Sequence, residues 1–269
     1  MIKLLAIDMD GTCLNDHHRI SVENMTAMRT AAEAGIWVVP TTGRTTTCLP
    51  IQLQEESFYR YVISSNGADV TDKEQGRSLY RALIPCASAA ELLRECGAAG
   101  LGLSLHADHQ FVVQGVGLNL LGRAMYGPDA RNTKYEKNIV RLLQKEKTDV
   151  EEIQLFFFTD RKRTAAHELL AGRPGFVTAY DRFYAEIYAP EASKGYALAA
   201  LAGQLGISKE EVACIGDAEN DLSMFAASGL KIAVDNAIPE LKERANAVTA
   251  DHNNSGVAEA IRRYILPQK

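Results

Sequence analysis

An abrupt change from apolar to acidic residues near the start of the chain is the feature that most constrains its fold. The apolar run LLAI at 4–7 is followed at once by DMDGT at 8–12. A short apolar run that ends in an acidic, glycine-containing turn predicts a buried strand ending at a functional site. Two carboxylates there, Asp8 and Asp10, repel each other and lose hydration, and a bound cation offsets both costs. We therefore predict a metal-assisted site in which one aspartate is chemically active, although the pattern also fits an ordinary acidic turn.

The composition sets broad limits on the class of protein. The chain has 269 residues, 46% of them hydrophobic and 23% charged, with a net charge of -5. No long basic run or membrane-length apolar run is present, so we expect neither nucleic acid nor a membrane as a partner. The five cysteines show no CxxC spacing and no signal-peptide pattern begins the chain. These observations predict a cytoplasmic protein without a disulfide framework or a zinc site.

Strands and helices alternate in the first and last parts of the chain. Strands are predicted at 4–7, 36–39, 61–64, 212–215 and 231–234, and helices at 22–34, about 48–55, 195–205, 221–227 and 257–264. Ser21 caps the first of these helices and Gly35 ends it. This alternation predicts an α/β fold with a Rossmann-like, doubly wound parallel sheet.

The middle of the chain has a different pattern, in which several strands follow one another closely. Strands are predicted at 101–106, 110–114, 153–158, 176–180 and 184–188, and helices at 89–98, 134–145 and 163–171. This pattern is typical of an α+β module. We predict a core made of 1–83 plus 189–269, with an α+β cap inserted at 84–188.

A second acidic motif, GDAEND at 216–221, follows the predicted strand 212–215. The carboxyl ends of strands in an open α/β sheet meet at one crevice, so Asp217 and Asp221 are expected near Asp8 and Asp10. Four carboxylates in a small volume suit Mg²⁺, which prefers hard oxygen ligands. Helix capping and a favourable helix dipole are the alternative explanation for Asp217 and Asp221.

Two further motifs carry groups that suit an anion. Thr42 and Gly43 follow the predicted strand 36–39, where a hydroxyl and a backbone amide make a small oxyanion-binding turn. Lys194 begins a predicted helix, where its charge opposes the helix dipole. A solvated lysine, for which this cost is small, is one interpretation; the other is a bound anion that reverses the balance, with Lys194 neutralising a phosphoryl group and a nucleophilic carboxylate together.

In their order along the chain, DMDGT, Thr42 with Gly43, Lys194 and GDAEND resemble the four motifs of the haloacid dehalogenase superfamily of phosphohydrolases. The long insertion resembles the C2-type cap of the Cof-like IIB subfamily, as do SNGA at 65–68, AEIYAP at 185–190 and NSGVA at 254–258. The resemblance covers nearly the whole chain. One departure is Cys13, where leucine is usual after DGT.

The resemblance implies roles for the acidic residues. Asp8 is expected to be the nucleophile that becomes an aspartyl phosphate, and Asp10 the general acid and base. Mg²⁺ is expected to be held by the Asp8 carboxylate, the Asp10 backbone carbonyl and the Asp217 carboxylate. Asp221 is expected to influence metal binding through the ligands, without contacting the metal itself.

The resemblance also implies which residues hold the substrate. The phosphoryl oxygens are expected to be held by Thr42, Gly43 and Lys194, while Asn220 contacts the phosphoryl group or orders the metal loop. Arg44 and Asn66 are candidates for contacting the leaving group. Four polar or amphipathic residues of the cap strands are candidates to face the substrate, although ordinary surface positions are expected for each: His106, His109, Arg182 and Tyr188.

The function expected from these features is a Mg²⁺-dependent phosphatase acting on small phosphorylated metabolites, most readily sugar phosphates. Two alternatives remain open: a phosphomutase-like enzyme that returns the phosphoryl group to a sugar, and a non-catalytic protein that binds a phosphorylated ligand. A signalling receiver domain fits less well, because a receiver keeps its aspartyl phosphate and the general acid Asp10 would remove it.

Overall fold

A computed structural model describes residues 1–126, 129 and 132–266 of the chain. The strands are β1 (Leu4–Asp8), β2 (Trp37–Thr41), β3 (Tyr61–Ser64), β4 (Asp69–Asp72), β5 (Arg77–Arg81), β6 (Gly102–Ala107), β7 (Gln110–Gln114), β8 (Lys134–Glu136), β9 (Glu152–Phe156), β10 (Val177–Tyr180), β11 (Tyr184–Tyr188), β12 (Val212–Gly216), β13 (Leu230–Val234) and β14 (Ala247–Thr249). The α-helices are α1 (Val22–Glu33), α2 (Ile51–Gln54), α3 (Cys86–Ala98), α4 (Val116–Tyr126), α5 (Ile139–Glu146), α6 (Asp160–Leu170), α7 (Lys194–Gln204), α8 (Leu222–Ala227), α9 (Pro239–Arg244) and α10 (Gly256–Ala260).

The chain divides into two compact units. The first consists of Met1–Gly43, Gln52–Tyr80 and Ser193–Lys269, and the second of Arg44–Ile51 and Arg81–Ala192. The short segment Arg44–Ile51 thus groups with the second unit, whereas from the sequence we expect it in the core.

The first unit is built on an eight-stranded sheet in the order β14-β13-β12-β1-β2-β3-β4-β5. The six strands from β14 to β3 run parallel, and β4 pairs antiparallel with β3. β1 lies near the middle of this sheet, and its residues are fully or almost fully buried. The predicted α/β class with a parallel-sheet core is confirmed.

Apolar side chains of α7 and α8 pack on the central strands of this sheet. Leu198 and Leu201 of α7 and Phe225 of α8 share one cluster with Leu4 and Cys214. Burial of each large apolar side chain contributes about 1.5–3 kcal/mol, so this cluster holds the strand ends in register with the helices that follow them.

The second unit carries a six-stranded sheet in the order β10-β11-β9-β6-β7-β8. Its neighbouring strands pair antiparallel, except for β7 and β8, which run parallel. Helix α3 precedes these strands in the sequence and α4, α5 and α6 lie between them, as is typical of an α+β arrangement.

Two helix predictions are wrong, each for a local reason. The helix predicted at 134–145 begins only at Ile139, where Asn138 accepts a hydrogen bond from the Arg141 amide; residues 134–136 form β8 instead. The helix predicted at about 48–55 is interrupted at Pro50, which lacks an amide donor, leaving a short 3-10 turn before it and α2 after it.

Within the described ranges, no helix combines the length and apolar character that a bilayer crossing requires.

Candidate active site

Three parallel strands of the first unit, β1, β2 and β12, end at one edge of the sheet, and three of the predicted motifs follow those ends. Asp8 closes β1 opposite Thr41 of β2, and Ile7 pairs with Ile215 near the end of β12. The parallel arrangement brings the turn after β1, the Thr42 turn and the GDAEND turn to this same edge.

Lys194 lies between two of the predicted carboxylates. Its Nζ donates to Asp8 Oδ1 over 2.6 Å and to Asp221 Oδ1 over 2.7 Å. All three side chains are buried, with at most 5% of any of them exposed. Lys194 is the first residue of α7, and Ser193 caps this helix by accepting from the Tyr196 amide. A positive charge at the start of a helix opposes the helix dipole, and the negative charges of Asp8 and Asp221 offset this cost.

The charge of this cluster is unbalanced. Burial, followed by repulsion from Asp221, raises the pKa of Asp8 well above its ordinary value, although Lys194 opposes the shift. Burial also raises the pKa of Asp217, and Asp221 adds to the effect. Burial alone lowers the pKa of Lys194, but attraction to Asp221 and Asp8 outweighs it and holds the pKa above the ordinary value. One ammonium therefore faces an excess of carboxylates.

The Asp221 carboxylate holds the loop that carries Asp217 in place through hydrogen bonds. Its Oδ2 accepts from the backbone amides of Asp217 at 2.9 Å and Ala218 at 3.1 Å, while Oδ1 accepts from Lys194. Asp221 has no exposed surface. With both oxygens engaged in this way, Asp221 supports the cluster from inside the protein.

Thr12 is a site residue that our sequence reasoning missed. Its hydroxyl donates to Asp217 Oδ1 over 2.5 Å, which ties the turn after β1 to the turn after β12. The sequence signal that could have indicated this role is the position of Thr12 at the end of DMDGT, close to the acidic pair.

Asp8, Asp217 and Asp221 each offer a carboxylate oxygen within 4.8 Å of the others. An all-oxygen, carboxylate-rich donor set is what Mg²⁺ prefers. A divalent cation also supplies the positive charge that Lys194 alone does not. The residues present therefore fit Mg²⁺, with Asp8 and Asp217 as the carboxylate ligands, because Asp221 is already engaged by two backbone amides and Lys194.

Asp10 differs from Asp8 in its surroundings, because it is exposed while Asp8 is buried. The backbone turns sharply here, with the amides of Cys13 and Leu14 both donating to the Met9 carbonyl. The two aspartates of DMDGT thus occupy environments suited to different tasks.

Thr42, Asn66 and Asn220 belong to one hydrogen-bonded set in the first unit. The Thr42 amide donates to the Ile63 carbonyl, and the Asn66 amide donates to the Thr42 carbonyl. The Asn220 side-chain amide donates to Asn66 Oδ1 over 2.9 Å. Gly43 directly follows Thr42 and lies against the Asn66 side chain.

Arg44 lies in the second unit, where Asp129 binds it. Arg44 Nη1 donates to Asp129 Oδ2 over 2.8 Å, and both side chains are buried. Asp129 Oδ1 also accepts from the Ile51 amide. This pair joins both ends of the segment Arg44–Ile51.

The polar residues predicted on the second unit's strands do not all lie at its surface. Arg182 is exposed and His109 half-buried, but His106 and Tyr188 are buried, so the expectation of ordinary surface positions is wrong for these two. β6 is buried along both faces from Leu103 to Ala107, which encloses His106, and Tyr188 is 7% exposed at the end of β11. Burial lowers the pKa of His106 from 6.5 to about 3, so its imidazole is neutral.

A family model of haloacid dehalogenase-like hydrolases matches residues 5–261 of the chain. The chain belongs to this family. It is 30% identical to phosphatase YwpJ of Bacillus subtilis over 98% of this chain and 100% of that protein. It is 29% identical to YcsE of the same species, a 5-amino-6-(5-phospho-D-ribitylamino)uracil phosphatase, over 98% and 96% of the two chains.

The fold of this haloacid dehalogenase-like hydrolase is also that of a solved relative. A B. subtilis structure of the same family superposes with a TM-score of 0.85 at 29% identity, covering 98% of this chain and 100% of the other. The resemblance to the Cof-like group and the prediction of a hydrolytic enzyme are confirmed. The phosphatase names of the relatives agree with the class of phosphoric monoester hydrolases.

Proposed function

We propose that this hydrolase is a Mg²⁺-dependent phosphatase that cleaves small phosphomonoesters, chiefly sugar and polyol phosphates, through an aspartyl phosphate. The observation that carries the proposal is the buried Asp8 carboxylate held by Lys194 at the end of β1. A fixed carboxylate beside an ammonium is suited to attack a phosphate dianion, because the ammonium removes the repulsion between two anions.

In the first step an Asp8 oxygen attacks phosphorus and the bond to the leaving oxygen breaks. Lys194 neutralises charge on both Asp8 and the phosphoryl oxygens. The Thr42 hydroxyl, the Gly43 amide and the Asn220 side chain donate to those oxygens. Phosphoryl transfer depends mainly on such positioning and charge neutralisation.

Asp10 moves the proton in both steps. It donates a proton to the leaving oxygen as the aspartyl phosphate forms. It then takes a proton from the water that attacks phosphorus, which releases inorganic phosphate and restores Asp8. The exposed position of Asp10 supports this role, since the leaving group and the water both arrive from solvent.

The proposed metal ligands are the carboxylates of Asp8 and Asp217 and the backbone carbonyl of Asp10. Bound Mg²⁺ supplies positive charge that stabilises the phosphoryl group during transfer. Thr12 orients the Asp217 carboxylate through its 2.5 Å hydrogen bond. Asp221 holds the loop of Asp217 and the ammonium of Lys194 in place.

We assign catalysis to the core, residues 1–83 plus 189–269, and substrate selection to a C2-type cap at 84–188. The choice of sugar and polyol phosphates is supported by the phosphoribityl substrate in the name of YcsE.

Phosphate release from a panel of phosphorylated metabolites tests the proposal. Wild type and Asp8→Asn are assayed side by side with Mg²⁺. We expect turnover of several sugar phosphates by wild type and a loss of at least about a thousandfold in Asp8→Asn with the fold intact. Near-wild-type activity of Asp8→Asn would reject Asp8 as the nucleophile. Phosphoryl transfer without net phosphate release would instead identify a mutase, and binding without either would identify a phospho-ligand binding protein.

A further inference from the structure

The turn that follows β3 has an unfavourable backbone conformation. Ser65, Asn66 and Gly67 are consecutive residues with positive φ, of 47°, 52° and 93°. Left-handed backbone is costly for residues with a side chain, although asparagine tolerates it better than most. Such conformations persist where surrounding contacts impose them, and they concentrate at functional sites.

The Asn66 side chain contacts two of the phosphate-binding motifs. Its Oδ1 accepts from Asn220 Nδ2 over 2.9 Å. The other side of its amide lies against Gly43, where a β-carbon would come within 2.9 Å of Asn66 Nδ2. Asn66 is 5% exposed, so these contacts are made inside the protein.

The backbone of the same turn contacts the Thr42–Gly43 segment again and also the segment Ser193–Lys194. The Asn66 amide donates to the Thr42 carbonyl over 3.1 Å. Gly67 lies so close to the start of α7 that a β-carbon would come within 2.1 Å of the Ser193 carbonyl oxygen and 2.6 Å of the Lys194 nitrogen. The turn therefore touches the Thr42–Gly43 segment, the Ser193–Lys194 segment and Asn220.

We infer that Asn66 is a positioning residue that fixes Gly43 and Asn220 relative to each other for phosphoryl binding. The inference rests on the proposed function. From the sequence we expect Asn66 at the leaving group, whereas its contacts are with the residues that hold the phosphoryl oxygens. The left-handed backbone of Asn66 directs its side-chain amide towards Gly43 and Asn220. A residue less tolerant of that backbone conformation would not hold this geometry.

A double-mutant cycle in the full chain tests this role. Asn66→Gly keeps the positive φ and removes the amide, and Asn220→Ala removes the partner at an exposed position. We expect Asn66→Gly to lower kcat/KM at least tenfold and to weaken binding of inorganic phosphate, measured by calorimetry with Mg²⁺, at least fivefold. The double variant should be no more than about twofold worse than Asn66→Gly, because residues that act together are not additive.

Two further variants keep the test decisive. Asn66→Asp also tolerates left-handed backbone and keeps an oxygen facing Asn220, but it presents a negative charge to the Gly43 side; we expect it to fold and to lose phosphate affinity. Lys147→Gly, at an exposed left-handed position that ends α5, is the matched control and should leave kcat/KM and phosphate binding unchanged.

Two outcomes would overturn the inference: Asn66→Gly within twofold of wild type in both measurements, or effects of Asn66→Gly and Asn220→Ala that simply multiply. The binding measurement distinguishes a failure of this inference from a failure of the proposed function. A wild type that binds phosphate and cleaves no ester rejects the phosphatase proposal alone, and the cycle is then decided on affinity. A wild type that neither binds phosphate nor turns over rejects both.

Discussion

Lys194 Nζ lies 2.6 Å from Asp8 Oδ1, although 186 positions separate the two residues in the chain. The same ammonium reaches Asp221 Oδ1, so one cation serves two buried carboxylates. The pair also matters for stability, because charges buried without a partner strongly destabilise a folded protein.

Replacement of Lys194 by Met is therefore expected to lower the free energy of unfolding by about 3–5 kcal/mol, since Asp8 and Asp221 lose their counter-charge. Urea unfolding at neutral pH measures this loss. The double variant Lys194→Met/Asp221→Asn should regain part of the stability and none of the activity. The control Lys242→Met removes an exposed pair with Asp235 and should change stability by less than about 1 kcal/mol. Equal stability of Lys194→Met and wild type would contradict the prediction.

Removal of the divalent cation is expected to abolish turnover. The carboxylates of Asp8, Asp217 and Asp221 leave the site with excess negative charge, which repels a phosphate dianion. EDTA followed by dialysis should eliminate phosphate release, and added Mg²⁺ should restore it. Activity that is indifferent to chelation would rule out the metal.

Thr12→Val should weaken Mg²⁺ activation while leaving the ligands themselves in place. The substitution removes the hydroxyl that donates to Asp217 Oδ1, and loss of such a supporting contact costs about 10- to 100-fold in metal affinity. The measurement is the Mg²⁺ concentration that gives half-maximal rate. Thr26→Val, which removes an exposed hydroxyl bonded to a backbone carbonyl of α1, is the control. An unchanged Mg²⁺ requirement in Thr12→Val would show that Thr12 does not support metal binding.

His106 should make stability fall as the pH is lowered. Burial holds its pKa at about 3 in the folded protein, against 6.5 for the ordinary side chain. Below pH 6.5 the unfolded chain takes up a proton that the folded protein does not, so acid favours unfolding by at most about 1.4 kcal/mol per pH unit. Urea midpoints at pH 7, 6 and 5 should fall less steeply in His106→Gln than in wild type. Equal slopes in wild type and His106→Gln would refute the prediction.

Much of the core sheet was predictable because local patterns agree with tertiary structure there. The apolar run before Asp8 is buried on both faces and reads as a central parallel strand. Ser21 caps α1 through the Asn24 amide as expected, and the strand Tyr61–Ser64 has the predicted bounds.

Elements that depend on distant partners were not predictable in the same way. Strand β8 exists because Lys134 pairs with Val112 of β7, a contact that no local pattern specifies. The hairpin of β4 and β5 was missed altogether, because its side chains are largely polar or half-buried and show no clear alternation.

In the candidate site, too, some features follow from the local sequence and others depend on distant partners. Motif order indicated Asp8, Lys194 and Asp217, because their residue types are unusual at strand ends and helix starts. The support given by Thr12 to Asp217, and the left-handed backbone of Asn66, arise from how turns of different strands meet. Only the folded structure specifies those relationships.

The order of strands in the first unit has a consequence for synthesis on the ribosome. Central strand β1 pairs on one side with β2, which follows soon after it, and on the other side with β12. Thr12 and its partner Asp217 are 205 positions apart, which corresponds to roughly 10–40 s of translation at about 5–20 residues per second. During that interval the nascent chain carries a largely apolar strand with one open edge, the kind of surface that chaperones protect from aggregation. Mutations that slow completion of β12 should therefore reduce yield in cells more than they reduce the stability of the finished protein.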